Sequence, residues 1–273
     1  MMLRSLRCAA LVLLLGLALS SVGIAKPQGK ITIKCPTTKQ LKAGIAACPD
    51  TGCGTVDPLL NRLKNIALSD LSPEDKDFEY LADLPPRVHG YDEIGDSRDA
   101  LVKRGEGKML RVVAWALAAR KGSKESCNCR LGQPKDTDNH IVLVDDHTLK
   151  LTAKATRARP ATATRKAVKA RTAKYNTLKK REAQSQTAEF SPRVRIDHPN
   201  LVGQDLQALI DSQGGKLLVR ITGLQMYDSE HALGKKLLRF NDWEIHPVFR
   251  LEYCPKNQTC SAGSDANWKD LGQ

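Results

Sequence analysis

Beyond residue 108 the chain changes its patterning in one order: strand, strand, strand, helix, strand, strand. Residues 109–120 (MLRVVAWALAAR) form a long apolar run, although its alanines also permit a helix, and residues 138–145 (DNHIVLVD) are rich in β-branched side chains. Residues 187–196 read as a third strand broken by Pro192, and residues 216–227 and 243–253 as the last two. Between them, Leu201, Leu206, Leu209 and Ile210 fall at helical spacing ahead of Gly214-Gly215, a good helix stop. A helix between the third and fourth of five strands is the order of the OB-fold, a five-stranded Greek-key barrel. The expected fold is therefore mainly β: an OB-like barrel over residues 108–260, followed by a tail of residues 261–273. An α+β sandwich with the same order is the alternative.

Ahead of the barrel, residues 1–25 have the form of a secretory signal peptide. Arg4 and Arg7 precede an apolar run over residues 8–19, and Gly23 and Ala25 suit the −3 and −1 positions of a cleavage site. Lys26 then begins a secreted or periplasmic protein, and no later stretch approaches the roughly 20 apolar residues of a transmembrane helix. Residues 26–107 form an N-terminal extension with a short strand over residues 31–34 and a cysteine- and glycine-rich turn. Asp57 is a plausible N-cap with Pro58 at the first helical position, and Leu59, Leu60, Leu63 and Ile66 share one helical face. Residues 69–104, acidic and proline-rich, read as a loop lying over the barrel.

Seven cysteines follow the leader, an odd number in an oxidising compartment. Cys254 and Cys260 are placed to close a terminal loop, and Cys35, Cys48 and Cys53 can supply one pair. Cys127 and Cys129 are separated by one residue, where a bridge would be strained. Free thiols, ligands or a redox pair are the options for them.

The formal charge of +13 is concentrated. The leader removes two cations, leaving +11, while residues 150–182 contain twelve Lys or Arg and one acid, Glu182. The rest of the mature chain is neutral. This segment, an insertion between strands two and three, has almost no large apolar side chains, so it cannot offset its ordering entropy and is expected to be disordered or transiently helical. A polyanion such as nucleic acid, acidic polysaccharide or an anionic surface is the expected partner, through Lys166, Lys169, Arg171, Lys179, Lys180 and Arg181. Tyr175 is the only aromatic residue in the segment, which argues against base stacking, and a solubilising linker is the plainer reading. Arg193 and Arg195 in strand three and Arg220 in strand four occupy alternate positions that suit either an anion site or a solvated face.

The chemistry-bearing residues gather at two hairpin mouths. One holds Glu125-Ser126-Cys127-Asn128-Cys129 and Asp138-Asn139-His140; the other holds Asp228-Ser229-Glu230-His231 and Trp243-Glu244-Ile245-His246-Pro247. Strand pairing joins the halves of each mouth, and in OB-folds both loops border the ligand face. His140, His231 and His246 are the candidate ligands of a divalent metal such as zinc, with Asp138, Asp228 or Glu244 as general base or as an orienting partner. Turn capping and cross-strand pairing would account for the same residues without a metal.

These motifs, together with Ser191-Pro192-Arg193-Val194-Arg195 and the Asn61-Arg62-Leu63-Lys64-Asn65 helix, resemble a family of uncharacterised secreted bacterial proteins. The resemblance runs from about Arg111 to Tyr253, implies no established activity, and does not extend to the basic insertion. Two functions are expected: a secreted polyanion-binding protein, or a metal-dependent hydrolase of phosphodiesters.

Overall fold

The computed structural model describes residues 33–53, 57–68, 70, 72–85, 98–151, 176–197, 203–229 and 239–271. The extension contributes helix α1 (Pro58–Lys64), strand β1 (Glu74–Lys76), and helices α2 (Phe78–Ala82) and α3 (Asp99–Val102). The barrel strands are β2 (Met109–Lys121), β3 (Asn139–Val144), β4 (Gln186–Phe190), β5 (Leu217–Tyr227) and β6 (Trp243–Tyr253). Helix α4 (Asp146–Leu149) and helix α5 (residues 176–182) flank the insertion, α6 (Pro192–Asp197) and α7 (Gly203–Ser212) follow β4, and β7 (Lys269–Asp270) ends the chain.

The sheet runs β2-β3-β4-β6-β5, and β5 pairs back onto β2, so the five strands close into a barrel. Only the β4–β6 pairing within the ring is parallel. This is the OB-like arrangement, with α7 between the third and fourth strands. Leu110, Val112, Ala114 and Ala116 alternate inward along β2 and meet Ile141 and Leu143 of β3, Val219 and Ile221 of β5 and Leu251 of β6. Helix α7 lies against β2 and β3 and buries Leu206 and Ile210 in that core, each worth about 1.5–3 kcal/mol of transfer free energy. At Gly223 the bulged β5 crosses β6 so closely that a Cβ would lie 2.6 Å from Pro247 O, which leaves room only for glycine.

Strand three stops earlier than its patterning predicts. Ser191 Oγ accepts the Val194 N–H and Pro192, which has no N–H to lose, opens α6, so Arg193 and Arg195 lie on a helix and not on a strand. The extension is also more than a loop: β1 adds in parallel to β2, and Asp77 caps α2, which sends Phe78 and Leu81 into the barrel core. Ile33 and Lys34 are not in a strand, and the rest of that predicted strand lies outside the described residues.

Part of the basic insertion is ordered. In α5, Arg181 donates to the carbonyls of Leu149 and Leu151, and Glu182 pairs with Arg120. Residues 152–175, with Lys166, Lys169 and Arg171, lie outside the described residues. The C-terminal segment is anchored too, since β7 pairs with β6 and Arg220 stacks 5.1 Å from the Trp268 ring.

Disulfides join Cys35–Cys53, Cys48–Cys129 and Cys254–Cys260. The terminal loop closes as expected. Cys129 is tied to the extension, so it forms no redox pair with Cys127, which is a buried free thiol.

Candidate metal centre

Both hairpin mouths open at the same end of the barrel and share one buried polar cluster. The chain leaving β2 turns at Gly122, whose N–H donates to Asp138 O at 2.6 Å and whose missing side chain makes room for the His140 ring. That loop carries Glu125, Cys127 and Asn128. Strand β3 supplies His140, and directly across the ladder β4 supplies Glu189. Asp228 follows β5, while Glu244 and His246 lie on β6. Helix α1, started by the Asp57 cap and Pro58, delivers Lys64, which is four residues after the buried Leu60 and therefore on the same face.

Lys64 Nζ lies 3.2 Å from Glu125 Oε2, 3.2 Å from Asp228 Oδ2 and 3.7 Å from Glu244 Oε1. Arg239 reaches Glu244 Oε2 at 2.7 Å and Asp228 Oδ2 at 3.7 Å. His246 Nδ1 is 3.1 Å from Glu244 Oε1 and 3.3 Å from Glu189 Oε2. His140 Nε2 is 3.3 Å from both Glu125 Oε1 and Glu189 Oε1. Asn128 Nδ2 donates to Asp138 Oδ2 at 2.8 Å and so fixes that carboxylate. Among the described residues, the buried cluster atoms that make no hydrogen bond include both Glu189 oxygens, Asp138 Oδ1 and His246 Nε2, together with Asn128 Oδ1 and Arg239 Nε and Nη2.

Five carboxylates here face two permanent cations, Lys64 and Arg239, an excess of three negative charges. Burial and the neighbouring Glu125 push Asp138 up to about 6. Burial, with Glu244 and Glu125 beside it, raises Glu189 to about 7 against the pull of His140. Glu244 is held at about 2, because Lys64, Arg239 and His246 together outweigh burial and Asp228. Burial alone would lower His140, but Glu189 and Glu125 raise it to about 10; the pair Glu244 and Glu189 raises His246 in the same way. Protons thus balance the charge excess in the metal-free cluster. A divalent cation would offset two of the three charges without them.

Among the described residues three groups offer ligand atoms within 4.8 Å of one another: Glu125, Cys127 and Asp138; Glu125, His140 and Glu189; and Asp138, Glu189 and His246. The structure therefore gathers Asp138, His140, Asp228, Glu244 and His246 as the motifs predict. His231 lies outside the described residues. Asp228 and Glu244 are each ion-paired with both Lys64 and Arg239.

Sequence patterning missed Glu189, Lys64 and Arg239. Glu189 is an acid in an otherwise uncharged strand, Thr187-Ala188-Glu189-Phe190, and that isolation was its one visible signal.

The three arginines expected to face an anion have separate internal partners. Arg193 donates to Asn65 Oδ1 and Cys48 O, Arg195 to Thr137 O, and Arg220 forms a bidentate pair with Glu252 at 2.6 and 2.7 Å. Lys179, Lys180 and Arg181 lie on α5, away from the cluster in sequence. No protein-family model, curated protein or solved structure matches the chain.

Proposed function

We propose that the protein is an extracytoplasmic metal-binding barrel that holds a divalent ion through Asp138, Glu189 and His246. Three disulfides suit such a compartment. The observation that carries the reading is Glu189, whose two oxygens are fully buried and accept no hydrogen bond although each lies 3.3 Å from a histidine nitrogen. A carboxylate removed from water without hydrogen bonds is costly, and a network serving stability alone would satisfy it. The outer arrangement is that of a metal site's support: Glu244 orients His246, Asn128 orients Asp138, and Lys64 and Arg239 fix Glu244. Mixed oxygen and nitrogen donors favour first-row ions such as Mn²⁺, Fe²⁺ or Zn²⁺ over Ca²⁺ and Mg²⁺.

Asp138, Glu189 and His246 are all fully buried, so the geometry supports retention of an ion better than turnover of a polymeric phosphodiester, which needs an open metal position. The concentration of twelve cations in residues 150–182 supports a second role, electrostatic contact with a polyanion.

The test is elemental analysis of the purified protein after exposure to Mn²⁺, Fe²⁺ and Zn²⁺ and exhaustive dialysis. A stoichiometric ion, lost in Glu189→Gln and His246→Ala, is the expected result. Absence of any stoichiometric ion, with chelator leaving the Tm unchanged, would overturn the reading.

A further inference from the structure

We infer that the cluster is built for two metal ions bridged by Glu189, the second held by Glu125, His140 and Glu189. This rests on the metal-binding reading and adds to it a second, more exchangeable site.

The geometry of one carboxylate carries the inference. Glu189 Oε1 lies 3.3 Å from His140 Nε2 and Glu189 Oε2 lies 3.3 Å from His246 Nδ1, so its two oxygens point to two different imidazoles. Because Nδ1 of His246 serves Glu244, the ligand atom of that ring is Nε2, which makes no hydrogen bond. A carboxylate between two nitrogen donors on opposite oxygens is the arrangement by which one side chain ligates two ions about 3.5–4 Å apart. Each imidazole brings a different acid: Asp138 completes the set with His246, and Glu125 completes the set with His140. Glu189 is common to both sets. Neither of its oxygens makes a hydrogen bond, so both remain available to ligate.

Charge admits two ions as readily as one: with neutral histidines, the excess of three negative charges leaves one negative charge beside a single divalent ion and one positive charge beside two. The two places differ in access. Asp138, Glu189 and His246 are at most 1% exposed, whereas the His140 side chain is 29% exposed. The His140 ion is therefore the one that meets solvent and exchanges first, and the only one positioned to carry a water or a small anionic ligand.

The experiment is metal counting and Mn²⁺ electron paramagnetic resonance on the full mature protein, with His140→Ala alongside. Two ions per chain, a spin-coupled Mn²⁺ spectrum, and loss of one ion with retention of the other in His140→Ala are expected. One ion per chain with the spectrum of an isolated Mn²⁺ would overturn the bridged pair while leaving the inner site standing. No bound ion would overturn both. Should His140→Ala fail to fold, the wild-type stoichiometry and spectrum decide the matter alone.

Discussion

Lys64 and Asp228 stand 164 residues apart in the chain and 3.2 Å apart in the fold, both buried. The pair closes the extension onto the barrel, because α1 has no other charged side chain inside the cluster among the described residues. Burial opposes the charge on Lys64, but Asp228, Glu125 and Glu244 together raise its pKa well above the ordinary value. Lys64→Met leaves three carboxylates without their common cation, and removing one partner of a buried pair costs about 3–5 kcal/mol. Urea unfolding of the metal-free variant should show a loss of that size. A change below about 1 kcal/mol would mean the carboxylates do not depend on Lys64.

The metal-free protein should be most stable in mild acid. Asp138 at about 6 and Glu189 at about 7 lie above their ordinary 3.8 and 4.5, so the folded state binds more protons than the unfolded one. Their contribution is whole below about pH 4 and is lost as pH climbs through those folded values. His140 runs the same way, with a contribution whole below 6.5 and lost toward about 10. Glu244, held at about 2 against an ordinary 4.5, has the opposite sense and loses its contribution only as pH falls through the lower value. Thermal melts in chelator should therefore peak at about pH 4–4.5 and decline toward pH 9. A Tm that rises steadily across that interval would contradict this balance of protons.

Cys127 should be a silent thiol. Burial, reinforced by Asp138 and Glu125, raises its pKa well above the ordinary thiol range, and the nucleophile is the thiolate. For the chain beginning at Lys26, iodoacetamide at pH 8 should label nothing in the native state and one cysteine after unfolding without reductant. Rapid native labelling would show that the 125–129 loop opens.

Deleting residues 152–175 removes eight cations and should leave the stability within about 0.5 kcal/mol of the parent. The same deletion should shift elution from immobilised heparin to clearly lower salt. Unchanged elution would remove the polyanion role from this segment.

The barrel was legible because its strands are long and its punctuation clear: residues 243–253 form β6 at the predicted bounds, and the helix stop at Gly214-Gly215 fits a helix ending at Ser212. Strand β4 was overrun because Val194 and Ile196 continue its alternation, while Ser191 as a cap and Pro192 at the first helical position carried the opposite signal. The motifs identified His140, His246 and Asp138 but not the group that links them. Glu189 alternates with the core residues Ala188 and Phe190, on the face where an acid is normally solvated, and it is buried only because the chain bearing Glu125 and Lys64 packs over that face. Lys64 was hidden in the same way, since its burial depends on where α1 docks.

The Cys48–Cys129 disulfide ties the extension to the stretch of chain bearing Glu125 and Cys127, across a sequence separation of 81 residues. Asn65 Nδ2 donates to Cys127 O and the Cys53 N–H donates to Ser126 O at the same junction. A chain held in a reducing compartment lacks the covalent part of this fastening, so the loop that completes the cluster is secured only after thiol oxidation. On the metal-binding proposal, ion uptake then follows thiol oxidation: a chain kept in a reducing compartment would present an unfinished receptor, and one in an oxidising compartment a finished one.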